Sequence, residues 1–103
     1  MKVVISCEGV YDVPEAVVMQ YAALTGKDIR VVKRRLVLID YELDGEYWHP
    51  DYISRKDSYL VQAVEELQPS NLKVVEIPDD IDYYIDECET GEEVIHESHR
   101  TWN

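Results

Sequence analysis

The chain predicts an α/β fold of the α+β kind: a two-layer sandwich with one mixed sheet of about five strands, two helices and a C-terminal β-hairpin. Three observations predict it. Short β-rich runs and helix-period runs follow one another in the order β-α-β-α-β-β-β. The last two apolar-alternating runs flank a Glu89-Thr90-Gly91 turn, the pattern of a hairpin. The length of 103 residues with 46% apolar residues suits one domain, 1–103, with a real core.

The elements follow in order. Lys2 to Cys7 (KVVISC) reads as a central strand, and Glu8 to Tyr11 as a loop. Asp12 has the chemistry of a helix N-cap, with Pro14 in the first turn and Glu15 completing a capping-box-like start. Apolar positions at 13, 17, 21 and 24 give that helix one face, and Gly26 is placed to end it. Ile29 and Val31 alternate behind a basic lead-in, and the run LVLIDYEL predicts the second main strand. Asp44-Gly45 marks a turn, and Glu46 to Tyr52 a polar-aromatic loop. A second helix is expected to start near Asp57 or Ser58, with Leu60, Val64 and Leu67 on one face and Pro69 beyond its end. Leu72 to Ile77 reads as a third strand, and Ile81 to Cys88 with Glu93 to His99 as the hairpin.

Charge is the strongest compositional signal. Twenty-two acids against 10 bases give a formal net charge of -12. Such a field repels DNA, RNA and anionic membranes at long range, so direct nucleic-acid or membrane binding is not expected. Ten of the acids lie between Leu72 and Trp102, against two bases, Lys73 and Arg100. The only basic cluster is Lys27 to Arg35, with five bases and one acid. There is no Phe, and eight of the ten aromatics are Tyr. Tyr needs a partner for its hydroxyl when buried, which favours half-buried surfaces and interfaces. Only Val3 to Ile5 follow Met1 and Lys2 as an apolar run, so no secretory leader is expected. No apolar run approaches the roughly 20 residues of a membrane span. Cys7 and Cys88 form neither a disulfide framework nor a zinc pattern, and free thiols in a cytoplasmic protein are expected.

Three stretches together resemble a family. They are CEGVYDVPEAV (Cys7 to Val17), RKDSYLVQAVEEL (Arg55 to Leu67), and LKVVEIPDDIDYYIDE followed by HESHRTW. The pattern is similar to that of small accessory proteins encoded by many tailed phages. The resemblance covers most of the chain and leaves Leu24 to Tyr52 divergent. Family members carry a glycine-rich loop where only Gly9 remains here, and a proline where Ser58 stands. The loss of those glycines removes support for a backbone phosphate cradle. The resemblance implies a phage-encoded protein acting in the host bacterial cytoplasm, and implies no reaction.

The candidate chemical motifs are sparse. His96 and His99 are three apart, a spacing that puts them on opposite faces of a strand, so no metal site is expected. Asp79, Asp80 and Asp82 lack the glycine that a calcium loop uses for its sharp turn. Cys7 with His99 is the only nucleophile-base pairing on offer, and a strongly acidic chain disfavours a reactive thiolate. No P-loop, Gly-x-Ser-x-Gly or His-Glu-x-x-His spacing occurs, so no catalytic residue and no cofactor are assigned.

Two functions from different classes fit. In the first, the protein is a phage counter-defence protein that sequesters a nucleotide-derived host immune signal without catalysis. Its ligand contacts would be Tyr11, Arg34, Arg35, Tyr47, Trp48, Arg100 and Trp102, with a homo-oligomer able to build shared pockets. In the second, Asp79, Asp80, Asp82 and Asp86 imitate a phosphate backbone and block a host nucleic-acid-binding defence protein. A ligand-free structural or regulatory subunit is the plainest alternative.

Overall fold

Val3, Val4 and Ile5 are fully buried, so β1 (Lys2–Ser6) needs cover on both of its faces. That requirement organises the molecule. The structure, a computed structural model, describes residues 1–33, 39–97 and 100–102. Along it run β1, α1 (Glu15–Thr25), β2 (Ile29–Lys33), β3 (Ile39–Leu43), β4 (Glu46–Trp48), a 3-10 turn (Pro50–Tyr52) and α2 (Ser58–Leu67). The chain continues with β5 (Leu72–Glu76), β6 (Tyr84–Glu87), β7 (Glu93–His96) and β8 (Thr101–Trp102).

The α+β class stands, but the sheet differs from the one expected. Among the described residues eight short strands form three antiparallel sheets, β1-β5, β2-β3-β4 and β6-β7-β8. The reason lies in side-chain alternation. Val4 points into a core with Val17, Val18, Tyr21, Leu60, Val64 and the β2-β3-β4 residues Ile29, Tyr41 and Trp48. Val3 and Ile5 point the other way, into a second core with Val75, Ile77 and Ile95. The β1-β5 ribbon is therefore a wall. The helices cover one side, and the C-terminal sheet covers the other instead of joining the ribbon edge to edge.

Local chemistry sets the ends of the elements. Asp57 caps α2, its Oδ1 accepting from the N–H groups of Tyr59 at 2.9 Å and Leu60 at 3.2 Å. Gly26 closes α1 in the left-handed region and donates to Ala22 O at 2.9 Å. Asp44 and Gly45, at φ 53 and 85, make the two-residue turn that pairs Leu43 with Glu46. That turn recruits Glu46 to Trp48, expected as loop, into β4.

The start of α1 is a correction. The N-cap is Pro14, and no side chain caps the helix. Asp12 lies two residues further out, its backbone carbonyl held by Asn71 Nδ2 at 2.7 Å. The carboxylates of Asp12 and Glu15 are thus not spent on capping.

Candidate functional site

The C-terminal sheet and its turns carry many of the chain's acids. Its order places β6 at an edge. Ile85, Ile95 and Trp102 stand in register and face the second core. Tyr84, His96 and Thr101 stand in register on the opposite face, with Asp86 beside them. Asp80, Asp82, Glu87, Glu89 and Glu92 are exposed on β6 and its flanking turns. Their carboxylates make no ion pair or hydrogen bond among the described residues. Asp79 receives the N-terminal ammonium, and Asp86 Oδ2 lies 3.5 Å from His96 Nε2. All four acids proposed to meet a partner, Asp79, Asp80, Asp82 and Asp86, are therefore on the surface of one segment. Cys88, beside them, is exposed, and both it and Cys7 are free thiols.

On the outer face His96 is the centre of a short chain of contacts. Tyr84, 61% exposed, stacks on the imidazole with ring centroids 5.4 Å apart. His96 Nδ1 lies 3.0 Å from Thr101 Oγ1. Hydroxyl, imidazole and carboxylate in a line can activate a hydroxyl. Here the line lies along an open sheet face, and neither of the two clefts described below includes any of its members. His99, the other histidine of the pair considered from the sequence, lies outside the described residues.

The residues expected to grip a ligand are spread over different elements. Tyr11 is covered by Arg55, whose guanidinium carbon lies 3.3 Å from the ring centroid. Trp48 is buried in the first core, edge-on to Tyr41 at 6.2 Å, while Tyr47 beside it is exposed. Arg100 lies 5.1 Å from the ring of Trp102 and pairs with Glu97, and Trp102 packs on the second core. Arg34 and Arg35 lie outside the described residues. The two cores on opposite sides of the ribbon thus separate Tyr11 and Trp48 from Trp102.

One arrangement has no counterpart in the sequence reading. Glu93 is buried, yet it accepts from both terminal nitrogens of Arg55, at 2.7 and 3.0 Å. Its Oε1 also accepts the Ser6 N–H at 2.8 Å. Arg55 in turn accepts from Val4 N through its carbonyl at 2.8 Å and donates to Val4 O at 3.3 Å. The open edge of β1 is thus satisfied by Arg55 and Glu93 instead of by another strand. Ser6 Oγ donates to Gly9 O at 2.5 Å, and the backbone of Gly9 lies against Gly91. Three distant segments therefore meet here, through Gly9 and Tyr11, Arg55, and Gly91 and Glu93. Burial pushes the Tyr11 pKa up to about 12; Arg55 opposes the rise, and Asp51, Glu93 and Asp12 add to it. The Tyr11 hydroxyl is buried without a hydrogen-bond partner. The sequence signal was faint: an Arg and a Glu 38 positions apart, each unremarkable in a charged chain.

Two clefts remain. One, of about 310 Å³, lies at the start of α1. Val13, Pro14, Ile39 and Pro50 form its apolar wall, and Asp12, Glu15, Tyr41 and His49 supply its polar groups. The other, of about 390 Å³, runs between the end of α2 and β5, with Glu65 and Lys73 among its lining. Neither holds two bases among the described residues. No three His, Cys, Asp or Glu side chains among the described residues converge to hold a metal ion. None of the described helices is long and apolar enough to cross a membrane. Comparison with protein families, curated proteins and solved structures finds no match.

Proposed function

We propose that the protein is a non-catalytic, phage-encoded protein of the bacterial cytoplasm that occupies a basic surface of a host nucleic-acid-binding defence protein. The observation that supports this reading is the set of exposed, unpaired carboxylates on β6 and its turns, Asp80, Asp82, Glu87, Glu89 and Glu92. Glu87 stands on β6 itself and the other four on the turns at its two ends, so the negative charge gathers along one edge of the C-terminal sheet. A net charge of -12 steers a basic partner toward it and speeds encounter at low salt. The phage resemblance supplies the setting. Capture of host proteins on the immobilised chain tests it. A nucleic-acid-binding protein should be retained at low salt, released at high salt, and lost when Asp79, Asp80, Asp82 and Asp86 are changed to Lys. Retention that ignores both salt and charge reversal would contradict the reading.

Sequestration of a nucleotide-derived signal is the second reading. What favours it is the exposed Arg100 guanidinium set over Trp102, a pair able to stack on a base. A thermal-shift series with cyclic dinucleotides and ADP-ribose tests it directly. A rise in melting temperature lost in Trp102→Ala supports it, and a flat series counts against it.

A further inference from the structure

We infer that the cleft at the start of α1 is a socket for a single cationic side chain, a guanidinium or an alkylammonium, presented by the partner. The inference rests on the basic-partner reading above, but it concerns a different part of the molecule. The socket belongs to the helix side of the ribbon, whereas the carboxylates of β6 belong to the C-terminal sheet.

Three observations carry it. The first is charge. Asp12 and Glu15 line the cleft, and neither carboxylate caps α1 or makes an ion pair or hydrogen bond among the described residues. The α1 N-terminus contributes about half a positive charge there, which two carboxylates outweigh. An anionic guest is therefore disfavoured and a cationic one favoured.

The second is Tyr41. Its side chain lines the cleft and is only 8% exposed, yet its hydroxyl has no hydrogen-bond partner among the described residues. Burial and the fields of Glu15 and Asp12 hold its pKa above the usual phenol value, so the oxygen stays a neutral hydroxyl on the carboxylate side. That oxygen is free to accept a hydrogen bond from an N–H of the guest.

The third is the form of the cavity. About 310 Å³ sits at the small end of ligand sites, with room for one long side chain. The apolar wall suits the methylene stem of Arg or Lys, while the head meets the acids. His49, also in the lining, is tied locally: its Nδ1 accepts the Asp51 N–H at 3.1 Å and lies 3.5 Å from Asp51 Oδ2. A metal ion is a poorer occupant, because no third ligand converges with the two acids among the described residues.

The test is a titration of the intact chain with agmatine and, separately, with butylamine, followed by backbone amide shifts at low salt. Shifts are expected at residues 12, 13, 15, 41 and 49, with agmatine the tighter probe because its planar head can engage a carboxylate through two N–H groups. Asp12→Asn with Glu15→Gln should weaken agmatine binding by at least about tenfold, since charge-assisted bonds are the strong ones. Tyr41→Phe should weaken it by at least about threefold, because the hydrogen bond lost has a cationic donor. Both variants change groups without internal partners, and urea unfolding of each checks that the fold is kept. Absence of shifts in that region, or undiminished binding by the double variant, overturns the socket. Because agmatine needs no partner protein, that failure leaves the carboxylate-face reading standing. Conversely, agmatine binding with no basic protein captured would sink that reading and keep the socket.

Discussion

Replacing Arg55 by Ala should cost more stability than any other single exchange of a charged side chain in the described structure. The change removes two hydrogen bonds to Glu93, one to Val4 O, and the cover over the Tyr11 ring. It leaves a carboxylate 8% exposed with only the Ser6 N–H as a donor. Stripping one partner from a buried ion pair typically costs about 3–5 kcal/mol. Arg55 itself is 26% exposed, so the lower half of that range is expected. A domain of this size has about 5–15 kcal/mol in all, so such a loss is a large share of the total. With a urea slope of about 1–3 kcal/mol per molar, the unfolding midpoint should fall by about 1 M or more. Arg55→Lys should recover only part of the loss, because an ammonium cannot span both carboxylate oxygens and cover the ring as well. The double exchange Arg55→Met with Glu93→Leu should lie above Arg55→Ala, since it leaves no orphaned charge. A midpoint change for Arg55→Ala of under about 1 kcal/mol equivalent would refute the view that this pair closes the edge of β1.

Further outcomes follow from the same contacts. Gly91→Ala should destabilise by more than about 2 kcal/mol, because the positive φ of 89 is strained for any side chain and a Cβ would come within 2.6 Å of the Gly9 backbone. Gly45→Ala, at φ 85 with open space around it, should lose only about 1 kcal/mol; equal losses in urea unfolding would refute the close approach. Tyr11→Phe removes a buried hydroxyl without a partner, so stability should be unchanged or rise by up to about 1 kcal/mol, and a clear fall would show that the hydroxyl is engaged. The Tyr11 pKa is raised from 10.0 to about 12, so the folded state holds its proton where the unfolded state has lost it. That contribution is complete below pH 10 and lost as pH rises through about 12; wild type should therefore lose stability across this window faster than Tyr11→Phe. Asp80→Asn with Asp82→Asn should leave the urea midpoint within about 0.5 kcal/mol, because exposed and unpaired carboxylates contribute little to the fold.

Features governed by neighbouring residues were legible in the sequence. Asp57 before an apolar helix face, Gly26 after one, and Asp44-Gly45 between strands each obey a local rule, and each stands where it was expected. Asp12 did not: proline disfavours a helical backbone at Val13 before it, Pro14 itself is extended at ψ 150, and the helix starts two residues late. The sheet arrangement was not legible either. A strand apolar on both faces says that it is covered twice, but not that helices cover one side and a separate hairpin sheet the other. The acidic surface could be read from composition, since carboxylates without partners stay in water. The Arg55–Glu93 pair could not, because its value comes from burial, which depends on segments 38 residues apart meeting at the edge of β1. The socket also needed the structure: Asp12, Tyr41 and His49 share no motif and converge only through the turn of β3 into β4 and the displaced start of α1.

Competition on a captured host protein tests the carboxylate-face account most directly. A labelled DNA duplex bound to that protein should be displaced by the wild-type chain, less efficiently as salt rises, and not by the chain carrying Lys at 79, 80, 82 and 86. Displacement by the charge-reversed chain as efficient as by wild type, or DNA and wild-type chain bound together without interference, would contradict the account.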